Sequence, residues 1–103
     1  MLNLKDETLE VLRSNGKSQS DVRWVGTAGR SIPLEAFWEK ANRLYDNGYG
    51  SNEVNESLMV VGDDWWLERH EYDGSEWWEY KEHQSQPLFV ETDEVEQMEM
   101  IFV

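Results

Sequence analysis

Asp73-Gly74 stands midway between two tryptophan pairs, Trp65-Trp66 and Trp77-Trp78, in the stretch WWLERHEYDGSEWWEYKEH. Asp-Gly is among the strongest two-residue hairpin signals, because a type I′ turn needs positive φ at both central positions and these two residues tolerate it best. A turn there sets the register: Tyr72 opposite Ser75, Glu71 opposite Glu76, His70 opposite Trp77, Arg69 opposite Trp78, Glu68 opposite Glu79, Leu67 opposite Tyr80 and Trp66 opposite Lys81. Trp65, Leu67, Trp78 and Tyr80 then share one face, expected to be the core side. Trp66, Glu68, His70, Tyr72, Trp77, Glu79 and Lys81 share the other, and a slip of one residue would exchange the two sets.

The rest of the chain supplies the layer that covers this hairpin. Leu34, Phe37, Trp38, Ala41, Leu44 and Tyr45 follow helical spacing and predict an amphipathic helix over 33–47, opened by Pro33 and closed by Gly48, with Glu39 and Arg43 paired on its polar side. A shorter helix over about 5–14 is suggested by Leu4, Leu9 and Leu12, with Val11 between, and ends at Asn15-Gly16. Alternation predicts a strand at 21–26, with Val22 and Trp24 on one face and Val25 on the other. Leu58 to Val61 forms a continuous apolar run suited to a central strand, and Gly62-Asp63-Asp64 a turn. The expected fold class is therefore α+β, an antiparallel meander of three to five strands with the 33–47 helix on one face. With 103 residues one domain is expected, with 1–20 as an N-terminal helix and loop and 84–103 as an acidic C-terminal extension. Periodicity leaves the segment after Pro87 open between a second strand pair and a helix from Thr92 burying Val95, Met98 and Phe102; the β-rich end Ile101-Phe102-Val103 tilts the reading toward strand.

Charge divides the chain in two. Residues 1–50 hold seven Lys/Arg and seven Asp/Glu, whereas 51–103 hold two basic residues, Arg69 and Lys81, against fifteen acidic ones, so the whole net charge of −13 lies in the second half. Such a chain repels nucleic acid and anionic membrane and favours a cationic partner, a basic protein surface or a metal ion. Six Trp, four Tyr and three Phe supply a core despite a mean hydropathy of −0.77, which argues against disorder throughout. Cysteine is absent, excluding disulfides and thiolate chemistry and fitting a reducing compartment. The first residues contain no apolar run of signal-peptide or membrane-span length, and a cytoplasmic location is expected.

Several constellations carry chemistry. Trp66, Tyr72 and Trp77 beside charged groups are typical interface anchors, unless the C-terminal segment packs over them as a second core layer. Glu68 opposite Glu79 with His70 alongside has the donor types of a divalent-metal or acid–base site, but the bland reading is a solvated or partner-facing cluster with Lys81 and Arg69 as compensating cations. Asp63-Asp64 lacks the D-x-D-x-D-G spacing of a calcium loop, His83 has no metal partner in sequence, and Gly26 to Arg30 lacks the P-loop Lys. Glu91, Asp93, Glu94, Glu96 and Glu99 form the densest acidic tract, either a solubilising tail or part of one negative surface with Glu68, Glu71, Glu76, Glu79 and Glu82. Carboxylates at alternate strand positions recur about every 6.8 Å, a ladder suited to a groove built for phosphates.

Over residues 21–83, and most specifically in WWLERxEYDGSEWW, the sequence resembles small acidic proteins encoded by phages and prophages. The resemblance implies a context of inhibitors of host nucleic-acid enzymes, including restriction and CRISPR nucleases, and supplies no catalytic residues. The leading expectation is a non-enzymatic protein without cofactor or metal that occupies the basic groove of a host nucleic-acid-binding protein or nuclease. Its expected contact residues are Trp66, Glu68, His70, Tyr72, Glu76, Trp77, Glu79, Glu82, Glu91, Asp93, Glu94 and Glu96. A homodimer is compatible with this reading; direct contact with nucleic acid or membrane is not expected. The alternatives are a small-ligand module stacking a sugar, nucleotide or cation on Trp66, Tyr72 and Trp77, and an enzyme built on Glu68, His70 and Glu79 that lacks a recognisable nucleophile or cofactor motif.

Overall fold

The computed structural model describes residues 1–27, 29–48, 53–83 and 93–102. Its described elements are, in chain order, β1 (Leu2–Asn3), α1 (Leu4–Ser14), a 3-10 turn (Gln19–Asp21), β2 (Trp24–Thr27), β3 (Arg30–Ile32), α2 (Leu34–Ala41), β4 (Leu44–Tyr45), β5 (Met59–Val61), β6 (Trp65–Tyr72), β7 (Ser75–Glu82) and α3 (Glu94–Ile101). Five strands form one antiparallel sheet in the order β3-β2-β5-β6-β7, and β1 pairs with β4 in a second, two-stranded sheet. The fold is α+β, as the hairpin and the helical periodicities require.

The β6–β7 hairpin turns at Asp73 (φ 52°) and Gly74 (φ 86°), both in the left-handed region. Its register pairs every residue as the sequence predicts, Glu68 with Glu79 and Trp66 with Lys81 included. At its other end β6 leaves β5 through a tight turn in which Gly62 N–H donates to the Trp65 carbonyl at 2.9 Å. A Cβ at Gly62 would fall 2.1 Å from the Trp65 ring, so only glycine lets that indole fold in beneath the turn.

Each helix owes its limits to tertiary contacts as much as to propensity. Asn3 caps α1 by accepting from the Asp6 N–H, Asp6 and Glu7 lie in its first turn, and Gly16 (φ 73°) follows its end. Its buried stripe is Leu4, Thr8 and Leu12, so a threonine stands at the centre of the face that sequence reading left thin. The Thr8 hydroxyl donates to the Leu4 carbonyl and accepts from the Trp78 indole N–H at 2.9 Å, which satisfies both polar groups inside the core. Helix α2 buries Phe37, Trp38 and Ala41 but stops at Ala41, six residues short of the expected end. Leu44 and Tyr45 become β4 instead, because Leu4 N–H bonds the Arg43 carbonyl, Asn3 bonds Asn42, and the Tyr45 phenol is drawn into a buried ionic cluster. Leu44 is consequently 58% exposed rather than part of a helical face.

Helices α1 and α2 both pack on one side of the sheet. There Val25, Val60 and Leu67 form a cross-strand row with no exposed surface, flanked by Leu12, Trp65 and Trp78. Fully burying a side chain of this size is worth about 1.5–3 kcal/mol, so this row and the helix stripes over it hold the layers together. Two sequence expectations fail here. The strand expected at 21–26 spans Trp24–Thr27, and Val22 is buried from the coil after the 3-10 turn, so Val22 and Trp24 do not share a face. The C-terminal segment, read as strand, holds helix α3, whose Val95, Met98, Met100 and Ile101, like Phe102 just after it, are exposed rather than buried. No helix among the described residues is long and apolar enough to cross a membrane.

Candidate functional site

The side of the sheet opposite the helices is the candidate site. Pleat alternation brings Trp66, Glu68 and His70 of β6 together with Trp77, Glu79 and Lys81 of β7, as the register predicts. Strands β2 and β5 extend the same face: Trp24, Val61, Trp66 and Lys81 lie in one cross-strand row, and Gly26, Met59, Glu68 and Glu79 in the next. Sequence reading missed Met59 and Val61, because a wholly apolar strand gives no sign of which side the helices will take, and it missed Trp24 because the strand expected from residue 21 places Val22 on the same face. The side chains of these rows are half-buried, and Tyr72 at the hairpin end is 78% exposed. Residues 84–92, part of the segment that could cover this face, lie outside the described residues.

Charge on the face is locally balanced. The His70 ring lies between two carboxylates, Nε2 at 3.2 Å from Glu68 Oε1 and Nδ1 at 3.3 Å from Glu79 Oε2. Lys81 Nζ stands 3.4 Å from Glu79 and 4.0 Å from Glu68. Thus two carboxylates face each other across the strands because an ammonium and an imidazole are inserted between them. Partial burial pushes the Glu79 carboxyl up, but the hydrogen bond from the Trp77 indole and the charges of His70 and Lys81 outweigh it and hold the group below its ordinary 4.5. No group of three or more His, Asp or Glu side chains among the described residues has the arrangement to hold a metal ion.

The acidic residues expected at one surface are dispersed. Glu76 is a core residue, 2% exposed, with its carboxylate 2.8 Å from Arg69 Nη2 and accepting the N–H groups of Glu53 and Val54. Arg69 is equally buried, its guanidinium 4.8 Å from the Trp78 ring centroid and its Nη1 3.6 Å from Glu7, and it compensates Glu76 rather than Glu68 or Glu79. Its Nε and Nη1 find no hydrogen-bond acceptor among the described residues, so stacking on Trp78 takes the place of part of the usual guanidinium network. Tyr45 donates to Glu7 and accepts from Arg69 at 3.2 Å; burial first and the Glu7 bond second push its phenol up to about 12. Glu82 lies on the helix side, beyond the helices, where the Tyr80 hydroxyl donates to it. Glu94 and Glu96 belong to α3, Asp93 precedes it, and Glu91 lies outside the described residues. Of the twelve expected contact residues, Trp66, Glu68, His70, Trp77 and Glu79 are brought together, with Tyr72 at their margin; Glu76 and Glu82 are not.

The chain matches no family model, no curated protein and no solved structure.

Proposed function

We propose that this is a non-enzymatic binding protein whose open sheet face docks on a cationic surface of a partner protein, as a phage-type inhibitor or modulator of a host nucleic-acid-binding protein or nuclease would, in the manner of anti-CRISPR or anti-restriction proteins. One observation carries the reading: helices α1 and α2 pack on the same side of the sheet, leaving Trp24, Trp66 and Trp77 on the opposite side beside Glu68 and Glu79. Aromatics next to carboxylates suit a surface that anchors by area and selects by charge. The net charge of −13 adds long-range attraction for a basic partner, which raises the association rate and is screened by salt. Because Glu76 is buried and Glu82 faces the other way, an unbroken carboxylate ladder does not support the reading; selection rests on Glu68 and Glu79 within an aromatic frame.

The test compares the wild-type protein with Glu68→Lys/Glu79→Lys as tagged baits in a bacterial lysate at low and high salt. The wild type is expected to retain a basic protein at low salt that the charge-reversed variant, folded by circular dichroism, does not. Retention of the same protein by both baits overturns the reading.

A further inference from the structure

At one end of the open face a cleft of about 360 Å³ runs between β5 and the end of the hairpin. Met59, Val61 and Trp66 form its walls, and His83 and Asp63 stand at its rim. The rings of Trp66 and His83 meet at 5.0 Å between centroids with 53° between their planes, so the two form an open corner rather than a closed stack. Its volume is near the bottom of the roughly 300–1,000 Å³ range of small-molecule pockets, a size suited to a single long side chain. Asp63, largely exposed, already receives a guanidinium from this chain, Arg23 Nε at 3.3 Å.

We infer that this cleft is an anchor site for an arginine side chain presented by the cationic partner protein. The inference rests on the reading of the open face as the docking surface and specifies one contact within it. A guanidinium is planar, stacks on indole and imidazole faces, and pairs with a carboxylate through several donors. Its aliphatic stem would lie along Met59 and Val61, its plane against the Trp66 ring with His83 closing the corner, and its charge beside Asp63, with Glu68 next to Met59 as the neighbouring carboxylate. Lysine carries the charge without the planar group, so it fits the rim but not the aromatic corner. Arg23 is then an internal competitor for Asp63. Its exposed ion pair contributes little to stability and can be exchanged for an intermolecular one.

The experiment is an NMR titration of the full chain with a capped Gly-Arg-Gly peptide, its citrulline and lysine counterparts, and tetramethylammonium, following the Trp66 indole and His83 ring signals. The arginine peptide is expected to bind at least tenfold more tightly than the citrulline peptide. Trp66→Leu and, separately, Asp63→Asn should weaken it several-fold, and Arg23→Gln should strengthen it. Equal affinity for arginine and citrulline, or undiminished binding by both Trp66→Leu and Asp63→Asn, overturns the inference. Tighter binding of tetramethylammonium than of the arginine peptide also overturns it, in favour of a small organic cation. The same two variants are used as baits beside Glu68→Lys/Glu79→Lys. If they retain a basic protein that the charge-reversed bait loses, the cleft inference fails while the docking reading stands; if the wild type retains no basic protein, it is the docking reading that falls.

Discussion

Glu76 and Glu79 are three residues apart on one strand, yet they do opposite work. Glu76 faces the helices, is 2% exposed, and ties the 53–54 segment to the sheet through two backbone N–H groups while neutralising Arg69. Glu79 faces away, about a third exposed, in a cluster whose charges water can screen. The chemistry is similar, a carboxylate against a cation with aromatic neighbours, but the dielectric differs. A buried pair is expensive to break because the partner left behind has nowhere to place its charge, whereas an exposed pair contributes little to stability and is free to exchange partners. One hairpin therefore carries a structural ionic cluster on one side and an exchangeable one on the other.

The sharpest way to break this contrast is Glu76→Ala, which removes the nearer of the two carboxylates facing the buried Arg69 guanidinium and leaves two backbone donors without their acceptor. Removal of one partner from a buried pair costs about 3–5 kcal/mol, and urea denaturation is expected to show a loss of that order. Loss under about 1 kcal/mol would place Glu76 with the surface residues. Next in size is Thr8→Val, which leaves the Trp78 indole without an acceptor at nearly constant volume; a buried donor left unsatisfied costs about 1–3 kcal/mol, readable by the same denaturation.

Alkaline titration distinguishes the two sides further. The Tyr45 phenol sits at about 12 in the folded protein against 10.0 ordinarily, so the unfolded chain loses this proton first. Stability from this group is full below about pH 10 and is expected to fall as pH rises toward 12, while the ultraviolet signal of Tyr45 ionises later than that of a free phenol. On the outer side the sign is reversed. The Glu79 carboxyl is held below 4.5, so its contribution is present above that pH and disappears as pH falls through the lower folded value, which side-chain NMR would read as a depressed midpoint. The smallest stability effect belongs to Glu68→Ala, expected to cost under about 1 kcal/mol by urea denaturation.

Much of this was legible from residues alone. The Asp73-Gly74 turn set the register of eight strand pairs, because positive φ at two consecutive positions leaves few alternatives. The pairing of Glu68 with Glu79 beside His70 followed from it. The end of α2 did not follow: Leu44 and Tyr45 continue the helical period, and only the β1 partner and the ionic cluster draw them out of it. Nor did the full burial of Glu76, since register places it on the helix side but does not show that the 53–54 segment closes over it.

The sequence by itself determined the local geometry of this protein: the hairpin, its register, two helices, and a negative charge confined to one half. These depend on backbone preference and periodicity, which act over a few residues. Only the tertiary structure decided which carboxylates became core and which became surface. Burial of Glu76 depends on Arg69, Tyr45 and the N–H groups of Glu53 and Val54, partners seven to more than thirty residues away along the chain for its cluster, and desolvation responds to that assembled surrounding rather than to the identity of the residue.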